Sequence, residues 1–317
     1  MNQDNPLRAG PLGMENEGLP QAHRFAHQAM ATVFEIFCIH EDRGYAEQAA
    51  HAAFALVDRL ETELTCHRGS SDISRINRLI PGETATIGPW AMECLLLARN
   101  FHFLTSGTFD ISLGSGLDAV ELVPAESCVR MNAPGVHLDL GGIGKGYAID
   151  RAGELLEEWE ICHALLHGGF SSVLALEAPP GRQGWPLTIS LPAPESSPVL
   201  ARMVARRQCW SASGIRKTDH IIDPRTGIPV RNRTAAWVSG ALPVLASVCP
   251  RDSSAGIRPG LFETGPSPSA VAEALSTAFM IMPFDLIANL CLRHPGIEAR
   301  ILTADSSGAP LLTSFTC

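Results

Sequence analysis

The chain has 317 residues, 45% of them apolar and 18% charged, which gives one large or two small domains with enough chain to bury a core. Its 24 Lys and Arg against 33 Asp and Glu leave a net charge of −9, so nonspecific nucleic-acid binding, which draws its affinity from neutralised phosphates, is not expected. No run of about 18 apolar residues reads as a membrane span. Residues 1–22 lack an apolar signal segment and read as a disordered leader, with Met14 a candidate start, ahead of one domain over 23–317. The expected location is the cytoplasm. The cysteine count agrees: nine, an odd number, with no CxxC pair and most of them inside apolar runs. Reduced core thiols are expected, rather than a zinc ribbon or a disulfide scaffold.

In chain order, residues 32–39 (TVFEIFCI) have the β-branched and aromatic density of a strand. Residues 46–64 follow as an amphipathic helix, with Ala49, Ala53, Leu56, Leu60 and Leu64 on one stripe. Further helices are expected over 90–104 and 146–159. Residues 164–237 alternate short apolar runs with turn residues and read as a β-rich meander. Helix returns over 271–282 and again over 285–292, and 299–302 reads as a late strand. The order lacks a strict βαβα rhythm, so the fold class is α+β. Residues 246–268, rich in Pro, Gly and Ser, read as a long loop.

Four segments could carry chemistry. Residues 136–150, VHLDLGGIGKGYAID, run from an apolar strand bearing Asp139 through four glycines to a helix, with Lys145 between the last two glycines. Glycines allow close approach to a phosphate, and a helix N-terminus favours anions. A ligand-free strand-to-helix turn explains the glycines equally well. A Walker A loop is excluded, because Asp139 stands where its first Gly is needed and Gly146 follows the Lys. The GxGxxG fingerprint is absent too.

Residues 220–229, HIIDPRTGIP, hold good turn chemistry from Asp223 to Gly227, which leaves His220 unexplained upstream of it. Residues 106–110, SGTFD, form a polar turn ending in an aromatic and a carboxylate. Glu273 and Thr277, four apart, share one helical face, as hard oxygen ligands suited to Mg²⁺ or as a solvated pair. His23 and His27, also four apart, have no third ligand and read as surface residues.

Taken in order, these pieces resemble the ApbE family, the FAD:protein FMN transferases. The similarity begins at Met30-Ala31-Thr32. It continues through TCHRGSSDISRIN at 65–77, GTFD, LDLGGIGKGYAID, ALLHGGFSSVLAL, SGIRKTDHIIDPRTGIP and EALSTAF, spanning roughly residues 25–305. The resemblance implies an α+β, T-fold-related architecture: mixed or antiparallel sheets with packed helices around a single flavin-binding cleft. It implies Mg²⁺-dependent transfer of FMN from FAD to a Thr hydroxyl in the flavinylation motif of an acceptor protein, with AMP leaving. Position by position, His220 matches the catalytic base. Met30, His67, Thr108, Phe109, Asp110, Asp139, Lys145 and Ile221 match FAD-site positions. The carbonyl of Gly142, the Glu273 carboxylate and the Thr277 hydroxyl match the metal positions, and Gly168-Gly169 matches a close approach to the cofactor.

Three departures stand out. Glu273 replaces the family's Asp, His67 replaces a Tyr expected to stack on a ring of the flavin nucleotide, and residues 111–136 look too short for a hairpin that borders the cleft. Two other activities suit the same fold: an FAD pyrophosphatase giving FMN and AMP, and a non-catalytic FAD-binding or storage protein.

Overall fold

The computed structural model describes residues 12–14, 22–191, 198–215, 221–241, 267–305 and 307–316. The first half opens with β1 (Leu12–Met14), β2 (His23–Ala29) and β3 (Thr32–Cys38), then helix α1 (Arg43–Leu64). The Asp42 side chain starts α1 by accepting the N–H groups of Gly44 and Tyr45 at 2.8 and 3.1 Å. Of the expected apolar stripe Ala49, Ala53, Leu60 and Leu64 are buried, together with Ala46 and Val57, while Leu56 is only half-buried. A five-residue helix α2 (Asp72–Ile76), strand β4 (Thr84–Thr86) and helix α3 (Pro89–Leu104) follow. Strands β5 (Val120–Val123) and β6 (Cys128–Met131) precede helix α4 (Gly144–Glu158).

The second half is the expected β-rich stretch. It contains β7 (Ala164–Gly168), β8 (Ser172–Ala175), β9 (Trp185–Ser190), β10 (Val199–Ala205), β11 (Gln208–Gly214), β12 (Ile222–Asp223), β13 (Ile228–Pro229) and β14 (Ala235–Ala241). Helices α5 (Pro268–Ala278) and α6 (Phe284–Arg293) and strands β15 (Ile297–Ala304) and β16 (Pro310–Phe315) complete the chain. Helix α5 ends four residues before the predicted limit, and Pro283 disfavours helical backbone just before it.

Eight strands form the main sheet in the order β16-β15-β14-β11-β8-β7-β3-β2, every neighbour antiparallel. Alternate residues of its central strands enter two different cores, because successive side chains point to opposite faces. Phe34, Ile36, Leu166, Leu174, Ala236, Val238, Ala299 and Ile301 pack on one side, in the core that also holds residues of α1, α4 and α5. Phe37, Leu165, Val173, Trp210, Trp237 and Leu302 pack on the other, against the small sheet β1-β9-β10. Burial on both faces explains why these strands read as continuous apolar runs. The architecture is α+β, as expected.

Four expectations are corrected. Leu12–Met14, read as part of the leader, pairs antiparallel with β9, and Leu12 is fully buried. Residues 111–136 do carry a hairpin, β5–β6, which β4 extends to three strands. Residues 136–140 join no sheet; the Asn77 amide holds them by accepting the Leu138 N–H at 2.7 Å and donating to its carbonyl at 2.9 Å. His23 and His27 lie half-buried on β2: the ring of His27 stacks on Phe54 and bonds Asp58 at 2.7 Å. The loop predicted at 246–268 falls almost wholly outside the described residues. The seven described cysteines are all free thiols, and no described helix is long and apolar enough to cross a membrane.

His167, on β7, is buried beside Phe170, and that burial lowers its pKa to about 4, against the opposing pull of the Leu12 and Gly169 backbone. The unfolded chain protonates this imidazole near 6.5 and the folded chain only near 4. Its contribution to stability is therefore intact above pH 6.5 and lost as pH falls from 6.5 to 4, by about 3 kcal/mol at 1.36 kcal/mol per unit. Urea titrations at pH 7 and pH 4.5 should show His167→Gln losing about 2–3 kcal/mol less than the parent over this interval. Equal losses in the two proteins would show that His167 does not set the acid limb.

Candidate functional site

A cleft of about 740 Å³ opens where the N-terminus of α4 meets α5, the end of β11 and the β12–β13 turn. A smaller lobe of about 220 Å³ adjoins it, and Asp139, Gly141 and Lys145 line both. The structure brings Thr108, Phe109, Asp110, Asp139, Gly142, Lys145, Ile221, Glu273 and Thr277 to the large lobe. It brings Met30 and His67 to the small one. His220 lies outside the described residues. Gly168 and Gly169 do not line either lobe. A Cβ on Gly168 would stand 2.6 Å from Ile149 Cδ1, and one on Gly169 would stand 3.3 Å from Thr32 Cβ, so they serve packing of β7 against α4 and β3.

Local sequence explains each wall. Met30 and Ala31 form the two-residue turn between β2 and β3 with φ of 50° and 56°. Such hairpins need positive φ at both positions, and without Gly each residue costs about 1–2 kcal/mol. In the 65–77 motif, Ser71 caps α2 through the Ser74 N–H at 3.1 Å, and the Ser74 hydroxyl donates to the Cys66 carbonyl at 2.8 Å. That bond fixes the backbone just before His67. The Thr108 hydroxyl donates to the Thr105 carbonyl at 2.9 Å, and Phe109 packs edge-on to Phe101. Asp110 accepts the Ser112 N–H and hydroxyl, each at 2.7 Å, and the Gly114 N–H at 3.1 Å. Its carboxylate thus folds the 110–114 rim. In the β12–β13 turn, hydrogen bonds from Arg225 hold the Asp223 carboxyl below its usual range.

Helices α4 and α5 are locked together at the centre. Asp150, buried on α4, accepts the N–H of Ser269 at 2.9 Å and of Ala270 at 3.0 Å. It therefore caps α5 from a neighbouring helix, a job that the Ser267 side chain does not do. Burial raises the Asp150 carboxyl to about 7, while these donors pull it down. One turn before Asp150, Gly146 lies so close to α5 that a Cβ would stand 2.6 Å from the Ser269 carbonyl carbon and 2.8 Å from Ala270 Cα. The Gly146 N–H donates to Glu273 Oε2 at 2.6 Å, and Lys145 Nζ pairs with Glu273 Oε1. The sequence reading missed both Asp150 and the Lys145–Glu273 pair. A carboxylate directly after the apolar run Tyr147-Ala148-Ile149 was a signal for Asp150; nothing in the sequence signalled the pair.

The charges along the lobes are unequal. Among the described lining residues Glu61, Asp110, Asp139 and Glu273 are acidic, and Lys145 is the one Lys or Arg. An anionic ligand there needs further positive charge. The oxygens of Gly142, Glu273 and Thr277 answer that need. A Cβ on Gly142 would stand 3.7 Å from Thr277 Oγ1, and Glu273 lies one turn before Thr277 on the same helix face. A carbonyl, a carboxylate and a hydroxyl are hard donors, so these residues fit Mg²⁺. Among the described residues no group of three His, Cys, Asp or Glu could hold a metal, so such a site relies on the mixed donor set.

The two lobes join where a helix N-terminus and a lysine favour an anion. The ApbE family model matches residues 30–127 and 115–246, and the chain belongs to the ApbE family. It is 23% identical over 223 residues to an FAD:protein FMN transferase of Klebsiella pneumoniae, covering 59% of this chain and 68% of that protein. It is 24% identical over 260 residues to one of Vibrio cholerae, covering 69% and 74%. The fold is shared with the flavin transferase ApbE of Vibrio cholerae, with a TM-score of 0.74 at 16% identity over 92% of this chain and 97% of that one. It is also shared with the ApbE protein of Thermotoga maritima, with a TM-score of 0.72 at 21% identity over 92% and 96%.

Proposed function

We propose that this protein transfers FMN from FAD to a Thr hydroxyl of an acceptor protein, releasing AMP. The observation that carries the reading is the pair of lobes meeting at Asp139, Gly141 and Lys145, in a chain of the ApbE family. A dinucleotide has two ring systems joined by a pyrophosphate, and this shape gives each ring system a lobe with the phosphates at the junction. The Lys145 ammonium and the positive end of α4 attract the phosphates there, while the Gly144 and Gly146 N–H groups are already held by the Leu140 carbonyl and the Glu273 carboxylate. Phe109 and Ile221 offer an apolar wall to one ring system, and Met30 and His67 enclose the other.

In the reaction the Thr oxygen attacks the FMN phosphorus, and the bond from that phosphorus to the bridging oxygen breaks. AMP departs with the bond's electrons, and His220 takes the Thr proton. Gly142, Glu273 and Thr277 would hold Mg²⁺, which would supply charge neutralisation at the phosphates when bound.

The test incubates the purified chain with FAD and Mg²⁺, with and without a Thr-bearing acceptor peptide, and reads intact mass and nucleotides. The expected result is a peptide heavier by one FMN and an equal amount of AMP. Free FMN and AMP, with no labelled peptide, would make water the acceptor and the protein an FAD pyrophosphatase. FAD recovered intact and bound would make it a storage protein.

A further inference from the structure

The Glu273 side chain is only 5% exposed, and a buried carboxylate requires a countercharge. Lys145 provides it: its ammonium pairs with Glu273 Oε1 and lies 3.4 Å from the Gly141 carbonyl. Yet Lys145 is also the one Lys or Arg among the described residues lining the two lobes, and so the one described ammonium or guanidinium available to a phosphate. The same ammonium cannot fully serve both. A divalent cation at Glu273 would meet it as a like charge on the same carboxylate oxygen, while Oε2 stays on the Gly146 N–H.

We propose that Lys145 is an exchangeable counter-ion that couples metal binding to nucleotide binding. In the free protein it neutralises Glu273. When a divalent cation takes over Glu273, Lys145 is released to the phosphates, so each ligand strengthens the other. Reciprocity is then required: the factor by which metal tightens nucleotide equals the factor by which nucleotide tightens metal. Lys145 acts here as a binding residue shared between two partners, and the inference rests on the reading of the cleft as an FAD site.

The test uses the full chain, with FAD binding followed calorimetrically and Mn²⁺ binding by loss of the free-ion EPR signal. In the parent protein saturating Mn²⁺ should tighten FAD about tenfold relative to EDTA, and FAD should tighten Mn²⁺ equally. Glu273→Gln frees Lys145 permanently, so in EDTA it should bind FAD about tenfold tighter than the parent, with no further gain from Mn²⁺. Lys145→Met removes the competitor, so without FAD it should bind Mn²⁺ about tenfold tighter than the parent. Misfolding does not produce gains in affinity, which separates these outcomes from structural damage. If Glu273→Gln binds FAD no tighter in EDTA, or Lys145→Met binds Mn²⁺ no tighter, the exchange is wrong. If neither parent nor variants bind FAD, the flavin reading fails, and the Mn²⁺ comparison alone decides whether Lys145 competes for Glu273.

Discussion

His220→Ala should reduce FMN transfer by about 100- to 10,000-fold while leaving FAD affinity within about threefold of the parent. The residue earns this expectation from its place in the chain. Asp223 to Gly227 are accounted for by the turn, in which the Gly227 N–H reaches the Asp223 carbonyl at 2.8 Å with φ of 70° at Gly227. Ile221, the next residue after His220, is buried in the cleft wall. A base acts on a proton that leaves the acceptor hydroxyl only as the transition state forms, so its loss appears in turnover and not in ground-state binding. Equilibrium FAD titration beside single-turnover transfer separates the two effects. A variant that loses FAD in proportion to activity would make His220 a binding contact.

Gly146→Ala should cost at least about 3 kcal/mol and abolish ligand binding, although Ala is normally the better helix former by about 1 kcal/mol. The added methyl meets backbone atoms of Ser269 and Ala270, which cannot rotate aside as a side chain can. Relief requires α5 to move away from α4, taking Glu273 and Thr277 with it and stretching the Asp150 cap. Gly144→Ala is the matched control on the same helix, because its nearest outside atom is Leu140 Cβ at 4.0 Å. Urea unfolding of the pair should give a large loss for the first and a neutral or slightly stabilising effect for the second. Equal stabilities would show that the two helices slide apart at little cost.

The sequence made much of this site legible, because its motifs are local. LDLGGIGKGYAID sets a loop and a helix start side by side, and EALSTAF places Glu273 and Thr277 on one face whatever surrounds them. The expected lining residues that fall among the described ones do share one two-lobed cleft. What stayed hidden depends on long-range approach. The Lys145–Glu273 pair spans 128 positions and the Asp150 cap 119 to 120, and no periodicity encodes such contacts. Strands of three or four residues, such as β1, β4, β5 and β6, are too short for alternation to register. Gly168 and Gly169 misled for a related reason: a glycine reports that something comes close, without saying whether it is a ligand or a neighbouring strand.

The long reach between α4 and α5 also sets a timetable. During synthesis from the N-terminus, α4 emerges more than a hundred residues before its partner, and the donors that satisfy Asp150 arrive only with Ser269 and Ala270. Until then the first turn of α4, which bears Lys145, has neither Glu273 beside it nor α5 behind it. The cleft between them is therefore completed near the end of translation, after the middle of the sheet has been made. If the cleft binds a flavin nucleotide as proposed, a nascent chain halted before α5 should fail to be retained on an immobilised one, although it holds most of the sequence.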